Sequence, residues 1–218
     1  PANVSNMYVG REPRFYAHIN YCGATWKGVS LQMWSTGLDG IKTAGANHSK
    51  TGYLLRKFAD EGAVTGSATP ILSNRSWIFF RLGEMYLYYA EALNEAEDNP
   101  SQDVYDYLNA IRKRGGIPEI TGTHTQNQMR ILIRQERRIE LAFETHRYFD
   151  VRRWKIAETT DNGPLYGMNI NTGTSQFDPV FYKRTVIENR KFNERNYLFP
   201  INKDEIEKVP NIVQNLGY

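Results

Sequence analysis

A chain of 218 residues, 40% hydrophobic and 23% charged, can bury a sizeable core in one large domain or two small ones. Its formal net charge of +3 comes from interleaved acids and bases, which argues against nucleic acid as a partner, and no run of about 18 apolar residues is present to span a membrane. The single cysteine, Cys22, excludes an internal disulfide framework and a multi-cysteine metal site, and its setting suits a buried small hydrophobe.

The opening PANVSNMYVG lacks the charged start and apolar stretch of a signal peptide, and the missing initial Met fits a processed or truncated chain. Residues 1–75 read as a loop-rich segment with short strands. Within it residues 15–22 alternate like a strand, with Phe15, Ala17, Ile19 and Tyr21 on one side. Gly23, Gly28, Gly37, Gly40 and Gly45 then mark a loop that holds Trp26 and Trp34. Residues 76–158 read as helical hairpins. Ser76 is placed to cap a helix over 77–98 in which Leu82, Met85, Tyr86, Tyr89, Leu93 and Ala96 share an apolar face, with Arg81, Glu84, Glu91 and Glu95 on another. Asn99 and Pro100 end it, Ser101 or Asp103 starts a second helix, and Gly115 and Gly116 close that one before Pro118. Such an antiparallel pair is the unit of helical repeats.

After a polar linker, residues 134–155 are predicted as two helices meeting near His146, the second carrying Phe149, Trp154 and Ile156 with Asp150 near its start. At helical spacing Ile131, Leu132, Ile139, Ala142 and Phe143 fall on an arc of roughly 120°, a width that suits a core-facing side. Glu136, Glu140 and Glu144 form a stripe beside the arc, with Arg134, Arg137 and Arg138 further round. Trp77 and Trp154, riding amphipathic helices, are expected in the core. Residues 159–218 read as a long loop to about Pro179, a strand over 181–192, a short helix over 203–209 and a tail.

The carboxylate stripe admits two readings, an active-site array or a set of ion pairs holding helices in register. Glu136 and Glu140 could in principle serve a glycosidase, but the surrounding arginines favour the ionised form of both, whereas a general acid needs a raised pKa. The reading is therefore not an enzyme, with buried ion pairs formed among Arg81, Glu84, Glu91, Arg112, Arg114, Glu136, Arg137 and Glu140. No metal site and no cofactor motif is found: the chain has no Gly-rich phosphate loop, HExxH or CxxC.

Several segments together resemble one family. Residues 81–95, RLGEMYLYYAEALNE, are similar to the R-x-x-E-x-x-L-x-x-A-E-A-x-N-E helix of the SusD/RagB family of outer-membrane nutrient-binding lipoproteins. Residues 109–114, NAIRKR, resemble its N-x-[VI]-R-x-R segment. ERRIELAFE at 136–144, HRYFD at 146–150 and RRW at 152–154 resemble its most recognisable motif. The closing LFPI, EI and QNLGY resemble its terminal signature, and EPRFY at 12–16 and TGYLLRKF at 51–58 its upstream patterns. Thr145 stands where the family usually has Gly, Gly115 where it has Ala and Leu216 where it has Pro.

The resemblance implies a mainly α fold of tetratricopeptide-like helical hairpins with long loops and a few short strands, matching only the C-terminal part of longer members. It further implies a protein on the cell outer membrane, held there by a lipid anchor outside this chain, that captures a glycan or other nutrient for a TonB-dependent outer-membrane transporter. Sugar binding calls for flat aromatic faces with amides nearby. Loop placement makes Trp26, Trp34 and Tyr53 the candidate platforms, with Tyr166, Asn169 and Asn171 in the long loop beside them. The rival reading is a helical interaction module that contacts the transporter without a ligand of its own.

Overall fold

The computed structural model describes residues 4–64, 68–73, 75–209 and 211–218. Elements run in the order α1 (Pro13–His18), β1 (Ile19–Tyr21), β2 (Thr25–Trp26), β3 (Val29–Ser30), α2 (Ile41–Ala44), β4 (Tyr53–Leu55), α3 (Leu82–Ala96), α4 (Gln102–Arg114), α5 (Gln126–Glu140), α6 (His146–Arg153), α7 (Ala157–Thr160), β5 (Gly163–Gly167), β6 (Thr185–Arg190) and α8 (Lys203–Lys208). The strands form three two-stranded antiparallel ladders, β1 with β4, β2 with β3 and β5 with β6. The fold is mainly α.

Helices α3, α4 and α5 pack on one another around Leu87, Ala90, Val104, Leu108, Ile111, Met129, Ile133 and Leu141. Their ends are local events. Thr125 forms a capping box with Gln128 at the start of α5, and Gly116 takes the left-handed φ of +68° just past α4, where Ile117 N–H returns to the Arg112 carbonyl at 3.1 Å. A second core joins the N-terminal segment to the loop after β5, with Tyr8, Tyr21, Cys22, Leu31 and Met33 meeting Met168, Ile170 and Phe181.

Four readings of local pattern are corrected. Residues 15–22 are not one strand: Pro13 at the first helical position favours a turn of helix through His18, and only Ile19–Tyr21 pairs, Tyr21 opposite Tyr53. Helix α3 begins at Leu82, not near Ser76, because Arg81 is held extended (φ −149°, ψ 155°) by its carboxylate partners and serves as the N-cap. Trp77 therefore lies outside the helix, half exposed and packed on Phe58 at 5.0 Å between ring centroids. The strand expected over 181–192 is confined to β6, with Phe181 buried in the second core.

The fourth correction concerns which faces are inside. In α3 the buried side is Glu84, Leu87, Ala90, Glu91 and Asn94, while Leu82, Met85 and Tyr89 are exposed. In α5 it is Met129, Ile133, Glu136, Arg137 and Glu140, whereas Ile131 and Phe143 of the expected apolar arc are exposed at 68% and 48%. Glu91, Glu136, Arg137 and Glu140 go inward here because each finds an opposite charge from a neighbouring element, which offsets the penalty that places such residues outside.

Between α5 and α6 the chain turns through residues 141–145 with two non-glycine left-handed residues, Phe143 (φ +67°) and Thr145 (φ +69°). A β-branched residue is costly there. Replacing Thr145 by Gly should raise stability by about 0.5–1 kcal/mol, because relief of a left-handed penalty of about 1–2 kcal/mol exceeds the entropy glycine adds to the unfolded chain. Urea unfolding measures it. A loss of stability would mean that the Thr145 hydroxyl, which donates to the Glu144 carbonyl at 2.6 Å, matters more than the strain.

Candidate functional site

Two constructions compete for a functional role: the buried charge cluster behind α5 and the loop face around the second core. The cluster is built on the stripe that Glu136, Glu140 and Glu144 make at successive turns. Arg14 of α1, buried at 6% exposure, donates from one nitrogen to Glu136 at 2.5 Å and Glu140 at 3.0 Å. Arg112 holds the second Glu136 oxygen at 2.9 Å. Arg81 donates to Glu140 at 2.6 Å and grips both Glu144 oxygens at 2.7 and 2.8 Å, and Arg114 also reaches Glu140. Lys57 pairs with Glu144 and caps the exposed end of α5 through the carbonyls of Glu140 at 3.0 Å and Ala142 at 3.1 Å.

Every carboxylate oxygen of these three glutamates thus meets a cation. Burial alone would raise the Glu140 and Glu144 carboxyls, yet the hydrogen bonds and charges of Arg81, Arg14, Arg114 and Lys57 outweigh it and hold both below the usual carboxylate range. Groups so held cannot deliver a proton as general acids near neutrality. The cluster does mechanical work instead. Arg14 and Lys57 belong to the loop-rich segment and Glu136–Glu144 to the helices, so the pairs lock one to the other.

A second set lies one turn away. Glu91 accepts both nitrogens of Arg153 at 2.5 and 2.6 Å and the Trp154 indole N–H at 2.6 Å, and Asp150 accepts Arg137 at 2.7 Å and Arg153 at 3.0 Å. Asp150 sits mid-helix in α6, not near its start. Trp154 is half-buried between the guanidiniums of Arg134 and Arg153 (4.8 and 4.7 Å), a stacked position instead of an apolar core site. Glu84, also buried, has His146 Nδ1 at 3.4 Å as its basic neighbour.

The loop face collects some of the expected ligand residues and separates others. Ser35 N–H binds the Thr172 carbonyl at 2.9 Å, which sets Trp34 against the turn carrying Asn169 and exposed Asn171. Gly173 (φ +91°) is what permits this approach, since a Cβ there would come within 3.1 Å of the Trp34 Cβ. Trp26 lies apart in the β2–β3 hairpin with the Arg56 guanidinium over its ring at 5.5 Å. Tyr53 packs edge-on to Tyr8 in the core, and Tyr166 on β5 has one face covered by Arg184 at 3.6 Å.

Beside the turn, a cleft of about 670 Å³ is lined by Ser5, Asn6, Met7, Phe177, Pro179 and Tyr182. Phe177 is 59% exposed and is an aromatic platform with an amide and a hydroxyl nearby, the chemistry expected of the loop tryptophans. It was legible by the same signal, an aromatic residue inside a polar loop. Among the described residues no group of three His, Cys, Asp or Glu could hold a metal ion, and no helix is long and apolar enough to cross a membrane.

The helical hairpins are thus tied together, and to the loop-rich segment, by buried arginine–glutamate pairs. The model of the SusD family matches residues 1–218, and the chain belongs to that family. It is similar to SusD-like protein P2 of Formosa agariphila, 29% identical over 150 residues that make up 66% of this chain and 26% of that protein. The solved structure of a SusD-like protein from Bacteroides fragilis superposes with a TM-score of 0.81 at 36% identity, covering 97% of this chain and 40% of that one. A SusD-like carbohydrate binding protein from the same species superposes at 0.74 with 29% identity, covering 96% and 43%. The chain thus spans about a quarter of the curated relative's length and about two-fifths of the solved structures.

Proposed function

We propose that this chain is part of a non-catalytic glycan-binding protein of the outer membrane, lipid-anchored in its full form, that delivers its ligand to a TonB-dependent transporter. The observation that supports binding over turnover is the engagement of every carboxylate oxygen of Glu136, Glu140 and Glu144 by five cations, which leaves no free carboxylate pair in the cluster to face a ligand. Family membership and the likeness to a carbohydrate binding protein support the ligand class. The ligand face we assign is the turn beside Trp34 with Asn169 and Asn171, extended by Phe177; Tyr53 supports it from the core, and Trp26 and Tyr166 are left outside it.

A glycan array with the intact protein tests the reading. Once a ligand is found, Trp34→Ala and Phe177→Ala should each weaken it about tenfold, equivalent to about 1.4 kcal/mol. Unchanged affinity in both would remove this face from the site. The second reading, an interaction module, draws support from the exposed apolar side chains at 77–82, Phe79 and Phe80 being 75% and 77% accessible. The whole chain exposes 14012 Å², against about 10,000 Å² for a compact monomer of its mass. Co-purification of the transporter without any glycan binding would favour that reading.

A further inference from the structure

A cavity of about 470 Å³ opens at the solvent side of the charge cluster, between α3, the end of α5 and the segment that carries Lys57 and Phe58. Its charged walls are unbalanced: Lys57, Arg75, Arg81 and Arg114 face Glu140 and Glu144, a surplus of two positive charges. The two carboxylates are fully engaged, each oxygen already accepting from Arg14, Arg81, Arg114 or Lys57, so they hold the cations in place and offer an entering group little further attraction or repulsion. The donors that remain belong to two arginines. Arg114 spends one nitrogen on Glu140 while its side chain stays 61% exposed, and exposed Arg75 forms no ion pair among the described residues. His18 adds an imidazole to the wall, and Phe58, stacked on Trp77, adds an apolar face.

Planar guanidiniums with free donors, beside an aromatic surface and at the mouth of a low-dielectric cluster, form a receptor for an oxyanion attached to a ring. We propose that this cavity is an oxyanion subsite, taking a carboxylate or a sulfate ester carried by an acidic saccharide. The proposal rests on the glycan-binding reading and narrows its substrate class to acidic sugars. The Phe177 cleft, by contrast, presents only uncharged side chains.

The test pairs oligosaccharides that differ only in the acid: a galacturonate trisaccharide, its neutral galactose counterpart and a sulfated galactose trisaccharide, each titrated into the intact protein. The expected result is a preference of about tenfold or more for an acidic member, about 1.4 kcal/mol, that shrinks as salt is raised. The uronate and sulfate arms tell which oxyanion is preferred. Arg75→Ala should abolish the preference while leaving neutral-sugar affinity unchanged and lowering melting temperature little, since Arg75 acts on Asp60 only through its charge and forms no salt bridge among the described residues. Arg114→Gln should also reduce the preference while leaving neutral-sugar affinity unchanged, with some loss of stability from its pair with Glu140.

Equal affinity for acidic and neutral members overturns the subsite and leaves glycan binding standing. Absence of all oligosaccharide binding would instead count against the parent reading. The cavity is then probed alone with free galacturonate and with sodium sulfate, following the His18 ring resonances by NMR. Saturable His18 shifts that Arg75→Ala removes would support the subsite, and no shift with either probe would overturn it.

Discussion

Replacing Glu140 with Ala should destabilise the protein by about 3–5 kcal/mol, the cost of leaving buried charges without their partner. Arg14, Arg81 and Arg114 all converge on this one carboxylate, which is only 1% exposed. A surface ion pair would be worth no more than about 1 kcal/mol, so the magnitude distinguishes a buried hub from decoration. Glu140→Gln keeps the shape and one acceptor oxygen but loses the charge and turns the other oxygen into an NH2 donor facing arginine donors, and should fall between the wild type and Ala. Chemical unfolding of the three proteins measures the series. A loss below about 1 kcal/mol for Glu140→Ala would show that the cluster is solvated and contributes little.

Lowering the pH from 7 to 4 should reduce stability in two overlapping stages. His18 lies in the same region, and burial first, then the positive charge of Lys57 and of Arg14, hold its pKa down to about 4. The unfolded chain takes up that proton near the ordinary histidine value while the folded one resists it. Stability is therefore intact above about pH 6.5 and declines as the pH falls towards 4. The loss is on the order of 2 kcal/mol, allowing for the partial exposure of the ring. Glu140 and Glu144 act in the same direction lower down: their folded pKa values are depressed, so their contribution is present above the usual carboxylate value and is lost as the pH falls below it and through the depressed folded values, a stage that only begins near about pH 4. Melting temperature against pH should fall throughout, and His18→Gln should remove the decline above pH 5 while keeping the later one. A flat profile between pH 7 and 5 in the wild type would contradict the first stage.

The two predictions share a cause that is only half visible in the residue pattern. Charges on α3, α4 and α5 were legible as ion-pair partners, because Glu84 and Glu91, Arg112 and Arg114, and Glu136 and Glu140 recur at helical spacing on segments that resemble the family's helices. Arg14 and Lys57 were not. Arg14 stands 122 positions from Glu136 and Lys57 87 positions from Glu144, and nothing local in EPRFY or RKF marks either as a buried cation. The same blindness explains the inverted helix faces. A periodicity that counts every carboxylate as outward places Ile131 and Leu82 inside, whereas the folded protein turns Glu136 and Glu84 inward, Glu136 against cations from other elements and Glu84 beside His146.

The loop face shows a related limit. Aromatic residues in polar loops are a sound signal for candidate platforms, and Phe177 carries it as plainly as Trp34. Which of them share a surface depends on contacts such as that between Ser35 and Thr172, made across more than half the chain. Loop chemistry alone could not tell that Tyr53 supports the core or that Arg184 covers Tyr166.

What the amino-acid order settled was local or recurrent: the caps and glycines that bound α4, the break between α5 and α6 near His146, and the motifs that resemble the SusD/RagB pattern. These depend on residues a few positions apart or on their order along the chain. The burial of the charged stripe, the start of α3 at Arg81 and the locking of the loop segment to the helices came only with the folded chain. A buried charge is tolerable solely when an opposite charge is brought within hydrogen-bond reach, and that condition is met by distant segments packing together.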